Sequence, residues 1–496
     1  MTTTHPDEIA TPAPGPSLPE GRLYIDGAWQ DSQSDERRDV INPATAVVMT
    51  TVAEAGEKDV AAAVAAARRA YDEGPWPRMP LRERARILNR AAELIRTHAA
   101  ELAKLESVDT GKPVHFAEMI DLGATIGHFE YYAALAWSLD GSVRETAIPS
   151  FSYVRREPIG VVAAITPFNF PLILSTLKIA PALAAGNTVV HKPAEDTPLT
   201  ALRMADLLAE AGVPAGVFNV VTGGGPTGEL LLRHPAVDKV AFTGSTGIGR
   251  KVATIAAETL KHVTLELGGK SANIIFADAD LESAIGASVN AFVFNTGQFC
   301  MAGTRLLVER PVYDDVVAGV AAAAGGVPVG DPTSPQTVVG PLTGERHLAK
   351  VQSYVDAGTS RDGATVLAGG GRIESLPGYY FAPTLLGGLN QGSPLVQEEI
   401  FGPVLTVQAF DTEDEAVALA NGTPYGLAAG LHTTKIARAH QVAARLQAGM
   451  VWVNTWGMLD VTLPAGGYKQ SGYGREQGSE GLAEYTQTKS VFVSLG

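Results

Sequence analysis

The stretch Val161-Val-Ala-Ala-Ile-Thr-Pro-Phe-Asn-Phe-Pro171 decides how the chain folds. Its first five residues form an apolar run suited to a strand buried on both faces, and a proline-rich turn ends that run. Similar short apolar runs follow, separated by segments with a helical pattern. The runs are residues 188–190, 218–221, 240–242, 263–265 and 273–276, and the helical segments are residues 172–184, 198–211, 227–233 and 247–260. Buried strands that alternate with helices predict an α/β fold with a doubly wound, Rossmann-like parallel sheet.

Polar and glycine-rich segments follow the first five of these runs. They are Thr166-Pro-Phe-Asn-Phe-Pro171, His191-Lys-Pro-Ala-Glu195, Thr222-Gly-Gly-Gly-Pro-Thr227, Thr243-Gly-Ser-Thr-Gly-Ile-Gly249 and Glu266-Leu-Gly-Gly-Lys270. Parallel sheets bind ligands beyond the carboxyl ends of their strands, where these segments would meet. The pattern therefore predicts a cofactor site along one rim of the sheet.

Two of these segments have a specific alternative interpretation. The glycines at 244, 247 and 249 do not match G-x-G-x-x-G, so the segment is either a pyrophosphate cradle at a helix N-terminus or a tight turn with glycines for close packing. Glu195 could accept both ribose hydroxyls of a dinucleotide and repel a 2′-phosphate. Judged alone, Lys192 and Glu195 could equally be an exposed pair that caps the next helix.

The only cysteine, Cys300, lies in the segment Asn295-Thr-Gly-Gln-Phe-Cys-Met-Ala-Gly-Thr-Arg305. One thiol can neither close an intrachain disulfide nor build a thiolate metal cage, which leaves core filler, surface thiol or nucleophile. We predict no metal site. Gly297 and Gly303 flank the sulfur, and a loop punctuated by glycines presents a side chain rather than packing it away.

The composition excludes several classes of function. There are 38 basic and 53 acidic residues, a net charge of −15, and 45% apolar residues. This acidic balance opposes nucleic acid as a partner, and a single cysteine favours a reducing compartment, here the cytoplasm. The uncharged residues 158–177 contain Pro167 and Pro171, which argues against a membrane helix.

Other parts of the chain carry simpler predictions. Residues 1–20 contain five prolines and are expected to be a disordered tail. A hairpin is predicted at residues 23–29 and helices at residues 58–72, 81–105 and 121–139. A second mixed α/β segment follows from residue 278. The apolar run at residues 490–494 is expected to pair with a strand edge elsewhere, either in this chain or in another subunit.

Seven motifs occur in an order that resembles the NAD(P)-dependent aldehyde dehydrogenase superfamily, from about residue 23 to residue 493. They are Phe168-Asn-Phe-Pro171, Lys192-Pro-Ala-Glu195, Phe242-Thr-Gly-Ser-Thr246, Leu265-Glu-Leu-Gly-Gly-Lys270, Gly297-Gln-Phe-Cys300, Glu398-Glu-Ile-Phe-Gly-Pro403 and Gly466-Gly-Tyr-Lys-Gln-Ser-Gly-Tyr-Gly-Arg-Glu476.

The resemblance implies a role for each catalytic position. Cys300 would attack an aldehyde carbonyl, and Asn169 with the Cys300 backbone N–H would hold the oxyanion. Glu266 would activate the water that hydrolyses the thioester, which places the chain in the hydrolytic, non-acylating branch. Lys178 matches a proton-relay lysine of the family.

The resemblance also implies binding positions for cofactor and substrate. The cofactor is expected to be NAD, with NADP possible, at Ile165, Thr166, Pro167, Lys192, Glu195, Gly225, Phe242, Gly244, Ser245, Leu267, Gly268, Glu399 and Phe401. The substrate positions are Phe170, Leu174, Leu177, Phe299, Met301, Trp456, Leu459 and Ala465. Most of these are apolar, which favours a hydrophobic aliphatic or aromatic aldehyde. A betaine or amino-aldehyde remains the alternative, because Trp456 and Phe170 suit an aromatic cage and Asp460 could favour a cation.

The expected architecture has three parts. Residues 1–137 and 158–265 would form the NAD-binding domain, residues 266–464 an α/β catalytic domain, and residues 138–157 with 465–496 a small β oligomerisation segment of a homodimer or homotetramer. Two other functions compete with this one: a cofactor-free cysteine hydrolase, which would need a histidine beside Cys300, and a non-catalytic protein on the same fold.

Overall fold

The computed structural model describes residues 16–496, so residues 1–15 of the predicted tail lie outside the described part. Leu18, within the predicted tail, packs against a hydrophobic core. The helices are α1 (Glu57–Asp72), α2 (Leu81–Thr97), α3 (Ala99–Thr110), α4 (Val114–Phe116), α5 (Leu122–Leu135), α6 (Pro171–Ala185), α7 (Leu199–Ala211), α8 (Gly225–Arg233), α9 (Thr246–Ala257), α10 (Leu281–Val293), α11 (Tyr313–Gly325), α12 (Glu345–Arg361), α13 (Pro394–Gln397), α14 (Glu413–Asn421), α15 (Ile436–Arg445) and α16 (Gly478–Ala483).

The strands form three larger sheets and two short ribbons. They are β1 (Leu23–Ile25), β2 (Ala28–Gln30), β3 (Arg37–Asn42), β4 (Val47–Ala53), β5 (Ser142–Arg144), β6 (Ser150–Pro158), β7 (Val161–Ile165), β8 (Thr188–Lys192), β9 (Phe218–Val220), β10 (Lys239–Thr243), β11 (His262–Glu266), β12 (Ala272–Ile275), β13 (Arg305–Glu309), β14 (Thr365–Ala368), β15 (Thr384–Gly387), β16 (Val404–Phe410), β17 (Tyr425–Gly426), β18 (Ala428–His432), β19 (Met450–Val453), β20 (Tyr468–Lys469), β21 (Gly472–Tyr473) and β22 (Thr486–Ser494).

The first sheet has the predicted doubly wound centre. Its order is β2-β1-β9-β8-β7-β10-β11-β21, and the five strands β9, β8, β7, β10 and β11 are parallel. Val162 and Ala164 enter one core while Val161, Ala163 and Ile165 enter another, which explains the continuous apolar run. Because the central strands are parallel, their polar carboxyl-terminal segments share one rim.

The predicted hairpin at the edge of this sheet is confirmed. β1 and β2 pair around Asp26 and Gly27, whose φ angles of 55° and 79° are those of a type I′ turn.

The second sheet begins after residue 266. Its order is β14-β15-β16-β13-β12-β18-β19, and only β14 runs antiparallel to its neighbour. The run at residues 273–276 has the same apolar pattern as the strands of the first sheet, but β12 pairs with β13 and β18 at the centre of the second, within the segment expected to be the catalytic domain. An apolar run suits the middle of either sheet, so the pattern cannot assign it.

The C-terminal strand pairs within its own chain. β22 lies antiparallel to β6 along nine residue pairs, and β5 completes a three-stranded sheet. β21, from the predicted oligomerisation segment, instead pairs with β11 and closes the edge of the first sheet. The segment that follows residue 465 therefore contributes β21 to the first sheet, β22 to the three-stranded sheet and β20 to a short ribbon with β17.

The long helix predicted at residues 81–105 is two helices. His98, with φ −99° and ψ 16°, ends α2 and begins α3, so the apolar stripe continues across a break in the backbone. The helix predicted at residues 121–139 begins one residue later and ends at Leu135. Among residues 16–496, no helix combines the length and apolar character that a membrane crossing requires.

Candidate active site

The backbone that leads to Cys300 is held in an unusual conformation. Asn295, Thr296 and Gly297 have φ angles of 50°, 58° and 68°, three consecutive left-handed residues directly after α10. Side chains other than glycine adopt this conformation at a cost, usually as single residues. The Asn295 amide donates to the carbonyl of Asn169 at 2.8 Å, and the Thr296 hydroxyl donates to the carbonyl of Gly340 at 3.0 Å. These bonds hold the strained turn in place.

The Cys300 side chain is half-buried beside an apolar cluster that includes Met301, Trp456 and Ala465. Burial raises the pKa of the thiol, the carboxyl groups of Glu399 and Glu266 raise it further, and the Met301 N–H lowers it. Cys300 is thus presented at the end of a loop, and the core-filler interpretation does not describe it.

Asn169 lies against the same loop. It follows β7 at the rim of the first sheet and is buried. Its amide nitrogen donates to the carbonyl of Gln298 at 2.9 Å, two residues before Cys300, and its amide oxygen has no partner among the described residues. Since the amide also has a second N–H, this side chain can donate to a substrate oxygen near the sulfur.

Glu266 is the last residue of β11 and points toward the loop that contains Gly466. One of its carboxyl oxygens is buried without a hydrogen-bond partner in the described part of the chain. Burial raises its pKa well above the usual range, and the neighbouring charge of Glu476 adds to this, while Lys178 and Arg475 act against it. A carboxyl group with a raised pKa is a stronger base once it is deprotonated.

Lys178 connects the middle of α6 to this carboxyl group. Its buried ammonium donates to the hydroxyl of Thr243 at 2.6 Å and pairs with the carboxylate of Glu476. Lys178 and Glu476 therefore form a buried ion pair whose two charges act in opposite directions on the pKa of Glu266.

A cavity of about 1270 Å³ opens along the rim of the first sheet. It exceeds the volume of most small-ligand sites, which suits a dinucleotide. Nine of the predicted cofactor positions line it: Ile165, Thr166, Pro167, Lys192, Glu195, Gly225, Phe242, Gly244 and Ser245.

The geometry of this cavity decides between the alternatives for the Lys192 and Glu195 pair. Lys192 is 4% exposed, donates to the carbonyls of Pro193 and Gly223, and lies 3.9 Å from the carboxylate of Glu195. An exposed pair is therefore wrong for Lys192. Glu195 is half-buried at the cavity wall, where a ligand can reach it.

The glycine segment after β10 serves close packing as well as the cavity. Ser245 caps α9 by accepting from the N–H of Ile248 at 3.4 Å. A Cβ on Gly249 would collide with Leu267, whereas one on Gly247 would meet open space. The helix thus packs closely on one side, as the tight-turn interpretation expects, and leaves its N-terminus open to the cavity. The pyrophosphate cradle stays a prediction.

The remaining predicted cofactor positions, Leu267, Gly268, Glu399 and Phe401, are not among the residues that line this cavity. Glu399 accepts from the N–H of Gly269 at 3.0 Å and lies against Gly268. Burial raises the pKa of Glu399 to about 7. Phe401, in a left-handed conformation, packs edge-on to Phe168, which lines the cavity.

The predicted substrate positions differ in burial and in their neighbours. Phe170 and Phe299 form an aromatic wall with Phe294, at centroid distances of 5.7 to 5.9 Å. The buried ammonium of Lys112 lies 4.1 Å from the Phe170 ring centre and is paired with Asp121.

The aliphatic substrate positions differ in exposure. Leu174 is half-buried on α6, and Leu177 and Met301 are buried. Ala465 is buried beside Cys300, and Leu459 is 44% exposed.

Trp456 makes a contact that the sequence does not predict. It is 5% exposed and its indole N–H donates to the carbonyl of Met301 at 3.2 Å, so its ring packs behind the loop instead of forming a free cage wall. Asp460 is exposed and accepts from the backbone N–H of Thr462 in its own loop.

The sequence analysis missed four residues that support the site: Asn295, Gln298, Lys112 and Glu476. Glu476 closes the last quoted motif and could have been assigned from its position there. Asn295, Gln298 and Lys112 act through backbone or aromatic contacts that join distant segments, and no spacing in the sequence indicates them.

Together, a doubly wound sheet with a dinucleotide-sized cavity along its rim, and a loop that contains Cys300 and is hydrogen-bonded to Asn169 at that rim, suit a dinucleotide-dependent oxidoreductase. The sequence of the chain matches the model of the aldehyde dehydrogenase family over residues 29–491. The chain belongs to this family.

Relatives cover nearly the whole chain. DhaS of Bacillus subtilis (strain 168) is 45% identical over 475 residues, which are 96% of this chain and 96% of DhaS. Among solved structures, a mutant of the P. syringae indole-3-acetaldehyde dehydrogenase AldA, in complex with NAD+ and IAA, has a TM-score of 0.94 at 43% identity and covers 97% of each chain. Betaine aldehyde dehydrogenase from Staphylococcus aureus, in complex with NAD+, has a TM-score of 0.94 at 39% identity over 96% of this chain and 95% of that one.

Proposed function

We propose that the protein oxidises a neutral hydrophobic aldehyde to its carboxylic acid with NAD, through intermediates on Cys300. One observation supports this: the Asn169 amide donates to the carbonyl of Gln298, two residues before Cys300, and the carboxyl group of Glu266 is near enough to raise the pKa of the Cys300 thiol. Phe168, the residue before Asn169, lines the cavity. Family membership and the NAD+ complexes of its relatives support the choice of cofactor.

Each residue has a defined task in this reaction. Cys300 attacks the carbonyl carbon, and the oxygen that gains charge is stabilised by the Asn169 amide and the Cys300 backbone N–H. NAD, when bound, would accept the hydride that leaves this carbon, and the acyl group would then remain on Cys300 as a thioester. Glu266 takes a proton from water, which attacks the thioester and releases the acid and the Cys300 thiolate. Lys178 and Glu476 then carry the proton away from Glu266.

The predicted cofactor positions support a dinucleotide without a 2′-phosphate, which is NAD rather than NADP. The open N-terminus of α9 suits the pyrophosphate, since unpaired N–H groups and the helix dipole favour negative charge. Glu195, at the cavity wall beside Lys192, suits the ribose hydroxyls, and a carboxylate there would repel the 2′-phosphate of NADP.

The test is direct. With NAD and a panel of aldehydes, the absorbance of the reduced nicotinamide should rise for the wild-type protein, and Cys300→Ala should abolish it. Glu266→Gln should release at most one equivalent of reduced nicotinamide and then stop, with the acyl group visible on the protein by mass spectrometry.

Glu258→Gln is the matched control, because Glu258 is an exposed carboxylate at the end of α9. It should turn over like the wild type. Sustained turnover by Cys300→Ala or Glu266→Gln would contradict the assigned roles, and ester hydrolysis with no NAD-dependent aldehyde oxidation would favour a cysteine hydrolase.

Two features support a neutral substrate over a betaine-type aldehyde. The Trp456 ring, a candidate cage wall, is packed behind the loop, and Phe170 already carries the ammonium of Lys112 against its ring. The pair 3,3-dimethylbutanal and trimethylammonioacetaldehyde has the same shape and differs in charge. We expect kcat/KM to favour the neutral member by about 10-fold or more, which corresponds to one cation–π contact. A preference for the cation would instead support the betaine alternative.

We also propose that the protein is a cytoplasmic homodimer or homotetramer. The three-stranded sheet exposes Phe151 and Phe492 by 52% each, a surface that a second copy would cover. Light scattering should give two or four times 51.8 kDa, and a monomer would contradict the proposal.

A further inference from the structure

Trp456 lies directly behind the nucleophile loop, which we define as residues 295–303. Its indole nitrogen donates to the carbonyl of Met301, the residue after Cys300. The Met301 residue is 7% exposed, so this carbonyl depends on the indole for a partner. A buried carbonyl without a partner is destabilising.

The ring of Trp456 is fixed on several sides. A Cβ on Gly303 would lie 3.0 Å from Cζ2 of the indole, and one on Gly430 would lie 2.7 Å from Cζ3. The ring therefore rests on bare backbone at the end of the nucleophile loop and in β18. Trp452 packs against it with a centroid distance of 5.0 Å. Because the ring is closely packed, its indole N–H is held pointing toward the Met301 carbonyl.

The nucleophile loop needs an anchor on this side. Asn295 and Thr296 secure its first half, where the backbone is left-handed. In the second half of the loop, the Trp456 side chain holds the backbone through its hydrogen bond to the Met301 carbonyl. The Met301 N–H points toward the Cys300 sulfur. This N–H and the carbonyl held by Trp456 lie on the two peptide units that meet at the Met301 Cα, so fixing the carbonyl restricts the N–H.

We propose that Trp456 is a positioning residue for the nucleophile: its indole N–H holds the Met301 carbonyl and thereby orients the Cys300 thiol and the neighbouring backbone N–H groups. This role rests on the proposed function of Cys300. It is additional to the substrate position that the resemblance implies for Trp456.

The test removes the indole N–H of Trp456 and keeps a ring of the same shape. Trp456 is replaced in the full chain by β-(3-benzothienyl)alanine, which has the shape of tryptophan with sulfur in place of the N–H. Because Cys300 is the only cysteine, iodoacetamide modifies a single site. We expect the alkylation rate at neutral pH and kcat each to fall about 10-fold, the loss of one buried hydrogen bond, with the alkylation profile shifted to higher pH.

Trp452 provides a matched control. It belongs to the same apolar cluster, and its indole N–H donates to the carbonyl of Met458 at 2.9 Å, away from the sulfur. The same replacement there should leave the alkylation rate within twofold of wild type. A genetic variant, Trp456→Phe, should slow alkylation as the analogue does while its melting temperature shows that it is folded.

The outcomes separate this inference from the proposed function. If alkylation of Cys300 leaves aldehyde oxidation intact, the proposed function fails. If alkylation stops oxidation but the Trp456 analogue reacts like wild type, or if both tryptophan analogues lose reactivity equally, the positioning role alone fails.

Discussion

Glu195 is the residue on which the choice between the two dinucleotides depends. Its carboxylate stands at the cavity wall, 3.9 Å from the Lys192 ammonium. We expect Glu195→Gln to raise KM for NAD by about 10-fold, the loss of charge-assisted hydrogen bonds to the ribose, and to lower KM for NADP, because the repulsion is removed. Initial rates with each coenzyme measure both effects.

Glu229 offers the control for this change. It lines the same cavity from α8 and is exposed. Glu229→Gln should leave the ratio of the two KM values unchanged, and an equal shift in both variants would mean that net cavity charge, rather than Glu195, sets the preference.

At the scale of single residues, the sequence predicts what is local. The glycines around Cys300 indicate a presented thiol, and the structure places it at the end of a loop. The environment of Trp456 was not predictable, because Gly303 and Gly430, which make room for its ring, come from other segments. The same holds for Lys112, whose contact with Phe170 joins segments 58 positions apart in the sequence numbering.

At the scale of elements, α9 depends on one glycine for its distance from the sheet. Gly249→Ala would place a methyl group inside the side chain of Leu267, and we expect the free energy of unfolding to fall by about 1–3 kcal/mol, as for overpacked cores. Thermal or urea unfolding of the protein without ligand measures this.

Gly247→Ala is the comparison within the same helix. Its Cβ would meet nothing within 4 Å, so the change should stabilise the helix by roughly 0.5–1 kcal/mol through the higher helix propensity of alanine. If the two variants lost equal stability, close packing at Gly249 would not be the cause.

Patterns in the sequence predict elements better than their partners. The alternation of runs and helices predicts the central strands of the first sheet, since burial on both faces leaves a clear apolar signal. The same signal at residues 273–276 does not reveal which sheet β12 joins, because pairing is decided by the turn that follows Glu266. The break at His98 has no proline or glycine to mark it.

At the scale of the whole molecule, buried histidines link stability to pH. Burial lowers the pKa of His128 and of His191 to about 3. Below pH 6.5 the unfolded chain binds protons at these positions and the folded chain does not, so their contribution to stability is complete above pH 6.5 and is lost as the pH falls toward 3. Each loses about 1.4 kcal/mol per pH unit in that range.

Buried acids change the stability in the opposite direction as the pH falls. The prediction therefore compares the pH dependence of stability of one variant with that of the wild type. Burial raises the pKa of Glu399 to about 7, and this group loses stability as the pH rises through that value. His128→Asn keeps an acceptor or donor for the Thr176 hydroxyl and removes one titration. Between pH 7.5 and 5.5 it should lose about 1.4 kcal/mol less stability than wild type. Equal losses, measured by urea unfolding at both pH values, would contradict the assignment to His128.

The ammonium that supports Phe170 has a consequence for any attempt to change which aldehydes the enzyme accepts. Replacing Phe170 by a smaller residue would leave a cavity and an ammonium that has lost its aromatic contact, so more room for substrate at this position would come with lower stability. Leu459 is 44% exposed, so its replacement would leave no buried cavity. Changes to the predicted substrate positions are therefore safer at Leu459 than at Phe170.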